Sequence, residues 1–220
     1  MRSRTWWAGI TSVGVTSMVL LVFAITAPMT IRSRKKADLT QAVFNMRQIG
    51  VALREFDASY ESFPSVKTAM EVKLNTGTPL NLAIRSSNDF FRQLYAADIA
   101  VSEGMFYART RSGRKPDNSF EGANAIEKNE CAFSYVTGLS SESPGETPVV
   151  LFPLIPGQRE FDYKLSKKYF DGKAVILRVD GSVTSLPIDK SGKVYLYGKD
   201  LFDPSQPFWQ GKAPDVKWPE

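Results

Sequence analysis

Acid–base, nucleophilic and metal chemistry each need particular side chains, and one of the most versatile is missing. The chain has no histidine. That removes Ser-His-Asp and Cys-His catalysis, His-ligated zinc and a histidine pH switch, and leaves proton transfer to carboxylates, lysines or tyrosines. Asp162, Asp171 and Asp180 are the carboxylates that glycoside cleavage would draw on, with no spacing that makes them converge. Asp189-Lys190-Ser191-Gly192, with Asp200 and Asp203, offers oxygen ligands to a calcium ion. A calcium loop has more acidic positions than these, so they read as turn-forming aspartates. Ser140-Ser141-Glu142-Ser143 has no base near it in sequence and reads as a loop. Phe208, Trp209 and Trp218 could stack on sugars or pack against their own domain. The single cysteine, Cys131, lies in Glu130-Cys131-Ala132-Phe133; it excludes an intrachain disulfide and reads as a small buried hydrophobe. No residue is assigned a catalytic, cofactor-binding or metal-binding role, no cofactor is expected, and the reading is not an enzyme.

The charge distribution narrows the partners. The formal net charge is +5, but six of the 28 basic residues (Arg2, Arg4, Arg32, Arg34, Lys35 and Lys36) fall before residue 37, with no acidic residue among them. Residues 37–220 therefore hold 22 basic against 23 acidic side chains. The basic excess belongs beside anionic lipid head groups rather than nucleic acid, which would need a basic face on the folded domain. The local run Arg109 to Lys115 reads as a solvated loop. Between Arg4 and Arg32 there is no charge, and Trp6 to Ala27 is long enough to cross ~30 Å of hydrocarbon as a helix. Trp6 and Trp7 sit as interfacial aromatics, and Pro28 marks a kink or the exit. Ala8, Ser12 and Thr16 make a small-residue ladder that would let another helix approach. The expected organisation is an anchor with basic flanks over 1–36 and a globular domain over 37–220, with a Pro-rich extended tail from about 203. Charge alone does not orient the span, since basic residues flank both ends.

In the domain, Leu39, Val43, Met46, Ile49 or Gly50, Leu53, Phe56 and Tyr60 recur every three or four residues, which predicts an amphipathic helix from Ala37 to Tyr60. Phe63-Pro64 ends it near Ser62. Residues 65–85 read as irregular. A short helix follows with Ser87 or Asn88 as its cap, then a strand at Met105–Ala108 and a long polar loop over 109–130. Candidate strands are Ala132–Thr137, Pro148–Leu154, Lys173–Val179, Ser182–Pro187 and Lys193–Tyr197. Asp180-Gly181 between β-branched runs predicts a tight type I′ hairpin. A long helix followed by an antiparallel sheet is an α+β order.

That order and three strings resemble bacterial type IV pilin-like proteins, above all the pseudopilin-related proteins of type II secretion (G-like). The strings are Met46-Arg47-Gln48-Ile49-Gly50-Val51-Ala52-Leu53 with Phe56, Tyr60 and Phe63-Pro64; Phe133-Ser134-Tyr135-Val136 with Gly138-Leu139-Ser140 and Thr147-Pro148-Val149-Val150; and Val179-Asp180-Gly181-Ser182-Val183. The resemblance implies a pilin-like fold, an N-terminal transmembrane helix continuing into the amphipathic helix packed on the sheet. Two departures matter. The prepilin processing sequence, of the Gly-Phe-Thr-Leu-Ile-Glu type, is replaced by Thr5-Trp6-Trp7-Ala8-Gly9-Ile10 with no acidic residue in the helix, and Tyr169-Phe170-Asp171-Gly172 lacks the family's usual histidine.

The resemblance implies a single-pass protein of the cytoplasmic (inner) membrane with its domain on the extracytoplasmic side. Its role would be structural, as a pseudopilin-like component of an envelope or secretion apparatus. Membrane lipid and other pilin-like or secretion-system subunits would be its partners, with no nucleic acid. The alternative is a membrane-tethered extracytoplasmic module that binds glycan or peptide through the 109–130 loop and the aromatic tail.

Overall fold

The computed structural model describes residues 4–119 and 125–220, with side chains from residue 30 onward. Helix α1 runs Arg4–Tyr60. Its apolar stripe packs inward as the periodicity requires: Ala42, Met46, Ile49, Leu53 and Phe56 are fully buried. The helix stops where Glu61 adopts a left-handed φ of 58° and donates its N–H back to the Asp57 carbonyl, ahead of Phe63-Pro64. The expected span Trp6–Ala27, with the Ala8, Ser12 and Thr16 ladder, lies outside the described side chains. Among the residues whose side chains are described, from residue 30 onward, no helix is long and apolar enough to cross a membrane.

The sheet is antiparallel, with β1 Ser134–Val136, β2 Pro148–Phe152, β3 Lys173–Arg178, β4 Val183–Pro187 and β7 Val216–Lys217 in the order β4-β3-β2-β1-β7. Side chains alternate between two cores. Val175 and Leu177 of β3 join the core beneath α1, while Ala174 and Ile176 face a second core with Phe161, Leu201, Phe202, Phe208 and Trp209. The register shift between Pro148 and Val150 lets Val149 and Val150 of β2 share the α1 side. The described fold is thus α+β: α1 on one sheet face and the C-terminal segment on the other.

Several expectations are corrected. Residues 65–85 are not irregular throughout; α2 spans Val66–Thr76. Ser65 accepts the Thr68 N–H at 3.1 Å while Thr68 Oγ1 accepts the Ser65 N–H at 2.7 Å, and Gly77 closes the helix at φ 62°. Its inward face is only Thr68, Ala69 and Val72, with Val66, Met70 and Leu74 exposed, so no clean apolar period marks it. Helix α3, Ser87–Ala96, is capped one residue earlier than expected, by Ser86 in a box with Asp89. The strand expected at Met105–Ala108 is a 3₁₀ turn, Glu103–Phe106, because Ser102 caps it and Asn45 of α1 takes the Gly104 and Tyr107 carbonyls at 2.9 and 2.8 Å. Asn45 is therefore buried although it is polar.

The hairpin after β3 is not type I′. Only Gly181 has positive φ (78°), and the Gly181 and Arg178 N–H groups bond Arg178 O and Ser182 O around a three-residue loop. The Val179 and Asp180 N–H groups are held by the Thr147 and Gly145 carbonyls, which fixes this longer loop. Of Lys193–Tyr197 only β5, Tyr195–Leu196, is strand, paired with β6, Lys199–Asp200, outside the main sheet. Nor is the tail from about 203 simply extended: it makes a 3₁₀ turn at Pro207–Trp209 and supplies β7 against β1. A fourth helix, α4, Tyr163–Tyr169, lies against α1 and carries Asp162 as its cap.

Candidate functional site

The carboxylates singled out in the sequence go to separate places. Asp162 Oδ1 caps α4 through the Leu165 N–H at 2.8 Å and pairs with Arg111 at 3.2 Å. Asp171 lies in the turn before β3 at φ 57°, and Asp180 in the loop after it. The six residues of β3 between these two put them roughly 20 Å apart, too far for a glycosidase pair. Asp189, Asp200 and Asp203 each close a turn of their own, accepting N–H groups of Ser191 and Lys193, of Phe202, and of Ser205. Those backbone donors hold the Asp189 and Asp203 carboxyls below their ordinary range. Ser141 Oγ donates to Asp57 Oδ2, tying its loop to α1.

The aromatic residues of the tail are structural. Trp209 is buried with its Nε1–H on the Leu201 carbonyl at 2.7 Å, packed edge-on against Phe208. Trp218 is half-buried and donates to Gln158 O at 3.0 Å. Cys131 is buried beside Ser87, and burial pushes its thiol up to about 12, so it is an inert packing group.

Among the described residues one cluster of acidic side chains was not foreseen. Glu103, Asp117 and Glu130 each bring an oxygen within 4.8 Å of the others, with Glu103 and Glu130 buried. The 3₁₀ turn positions Glu103, whose Oε1 accepts the Ile126 N–H at 2.7 Å and Oε2 the Asn118 N–H at 2.8 Å. Glu130 Oε2 accepts the Glu127 N–H at 2.8 Å, while its Oε1 has no hydrogen bond and faces Arg114 Nε at 3.4 Å. Arg114 also holds Asp117 and Glu127, each at 2.5 Å. Burial, and then the neighbouring carboxylates, push Glu103 and Glu130 above the ordinary carboxylate range, against the pull of the backbone N–H groups. The Tyr95 hydroxyl beside them is raised by burial and by the same two charges.

Such a set of oxygens suits a hard divalent cation or a shared proton. Here the guanidinium of Arg114 already supplies the cation, and the backbone donors come from the loop itself, so the cluster clasps the two ends of the 103–130 segment to its middle. Sequence reasoning missed it because the three acids are spread over that segment with no local motif. The signal that existed was a glutamate on the edge of the apolar Cys131-Ala132-Phe133 run. The expected surface loop 109–130 is also more buried than its polarity implies, with Ala125, Ile126 and Glu130 inside; residues 120–124 lie outside the described residues.

The fold and its clasp define an α+β domain carried on a long N-terminal helix. No family model, curated protein or solved structure matches the chain.

Proposed function

We propose that the chain is a membrane-anchored, pseudopilin-like structural or assembly component of a bacterial envelope or secretion apparatus. Its domain stands on the outer face of the cytoplasmic membrane. The observation that carries this reading is α1: 57 continuous helical residues, about 85 Å, whose C-terminal third packs on an antiparallel sheet. A helix of that length serves no purpose inside a domain of this size, whereas an anchor continuing into a spine uses all of it. The separation of Asp162, Asp171 and Asp180, the capture of the Glu103–Asp117–Glu130 cluster by Arg114 and the absence of histidine support a non-enzymatic role. Burial of Trp209 removes a ring from the glycan-binding alternative, which no other observation favours. Because the expected span Trp6–Ala27 has no acidic residue, the expected role is holding the domain in place beside an assembly rather than polymerising.

The test is site-directed photocrosslinking from exposed α1 positions such as Phe44 and Val51 in native membranes. Adducts with itself or with pilin-like subunits are expected. Membranes that yield neither overturn the reading.

A further inference from the structure

The folded domain gathers a cationic surface that the sequence disperses. Helix α4 buries Leu165 and Ser166 and exposes Lys164, Lys167 and Lys168. Those three lysines, at i, i+3 and i+4, share one helix face, where like charges repel. Lys167 and Lys168 in the last turn complement the helix dipole, but Lys164 in the first turn opposes it. Lys167 lies 5.7 Å over the Tyr163 ring and Lys168 4.9 Å over the Tyr169 ring, contacts within α4 that steady two of the lysines but give none of the three a counter-charge. Among the described residues none of the three has an acidic partner within ion-pair distance.

Helix α4 sits where α1 enters the domain. Lys35 Nζ donates to the Lys167 carbonyl at 2.7 Å across 132 residues of sequence. Arg109 bridges the same two helices, pairing with Asp38 at 3.4 Å and lying 4.5 Å over the Tyr169 ring. Asp38 and Asp162 are thus committed to Arg109 and Arg111. The four basic residues of 32–36 are exposed or half-exposed beside them. The base of the domain then carries seven cations, four from α1 and three from α4, with no acidic partner within ion-pair distance among the described residues.

We propose that this base, α4 with the adjoining end of α1, is a docking surface for the anionic head groups of the bilayer. The inference rests on the anchor in the reading above and adds a second contact between domain and membrane. Lys35 lies about 12 Å along the helix from Ala27. The head-group layer is about 5–8 Å deep on each side, so extended lysine side chains at the level of Lys35 reach it. Each such cation favours the docked state about fivefold. Docking would hold the domain upright and fix its rotation about α1.

The experiment uses the full chain reconstituted in phosphatidylcholine vesicles with or without phosphatidylglycerol. Amine-acylation rates are read lysine by lysine by mass spectrometry. Lys73 of α2, at the far end of α1 and exposed, is the control. Lys164, Lys167 and Lys168 are expected to react about threefold more slowly in the anionic vesicles, the factor by which a surface potential near −30 mV raises the local proton concentration. The difference should vanish in about 1 M salt, where screening shrinks to ~3 Å. Equal rates in the two vesicles, protection that persists in salt, or equal protection of Lys73 would overturn the proposal. Flotation with the neutral vesicles separates the two readings: a chain that does not float loses its anchor, whereas one that floats without lipid-dependent protection loses only the docking surface.

Discussion

Glu130 is the residue whose environment departs furthest from what its type prefers. Its side chain is fully buried, one oxygen has no hydrogen bond, and its counter-charge comes from an Arg114 that is half exposed and so screened by solvent. A carboxyl whose pKa is raised in the folded state binds more protons there than in the unfolded chain. Its contribution to stability is therefore present below the ordinary carboxylate pKa and is lost as pH rises through the raised folded value. Glu103 has the same sign, while Asp189 and Asp203 oppose it at lower pH. Glu130→Gln keeps an acceptor for the Glu127 N–H and turns the bare oxygen into a donor toward Glu103 and Asp117, at the expense of the attraction to Arg114 Nε at 3.4 Å. The variant is expected within about 1 kcal/mol of the wild type at neutral pH. The wild type should gain on it as pH is lowered toward the carboxylate range. Urea titrations at a series of pH values measure this, and a difference that stays constant with pH would mean that Glu130 ionises normally.

The contact between α1 and β3 is set by Gly50. A Cβ there would lie 2.9 Å from Leu177 Cδ1, and Leu177 is fully buried, so its methyl cannot simply swing away. Helix propensity alone favours alanine over glycine by about 1 kcal/mol. Gly50→Ala is nevertheless expected to cost about 1–2 kcal/mol through overpacking. In a Leu177→Ala background, itself destabilised by about 2–5 kcal/mol, the same substitution should become favourable. Denaturant midpoints of the four proteins give the coupling, and a stabilising Gly50→Ala in the wild type would show that helix and sheet are not in close contact. This packing was half legible in the sequence. The period of α1 placed Gly50 on the inner face, and alternation in Val175-Ile176-Leu177 marked β3, but nothing local says that the two meet. Likewise the strands β1 to β3 could be read because each buries a β-branched or aromatic run, and the half-exposed β4 because it follows the Asp180-Gly181 turn. Helix α2 could not, because three of its apolar residues face solvent. Strand β7 could not either, since two residues in a Pro-rich tail become a strand only when the edge of β1 offers them partners. The clasp was illegible for a related reason: its members are joined by the path of the loop, not by spacing.

On the scale of the whole molecule, charge and architecture answer different questions. The residues flanking the expected span are read during insertion: Arg2, Arg4 and the amino terminus on one side, four basic residues at 32–36 on the other. That near-balance slightly favours keeping the domain in the cytoplasm. The lysines of α4 are too remote in sequence to be counted at that stage and act only after folding, once Lys35 and Lys167 have met. A long domain is also exported largely without regard to its own charge, and residues 37–220 are nearly neutral in sum. The proposed role therefore sets the expectation: as an envelope component, the domain is expected on the extracytoplasmic side. Protease added to intact spheroplasts should digest the domain and remove an epitope at residue 220, with no further loss on lysis. An epitope that survives until the cells are broken would place the domain in the cytoplasm. It would overturn the envelope role and leave the flanking charges as the determinant of topology.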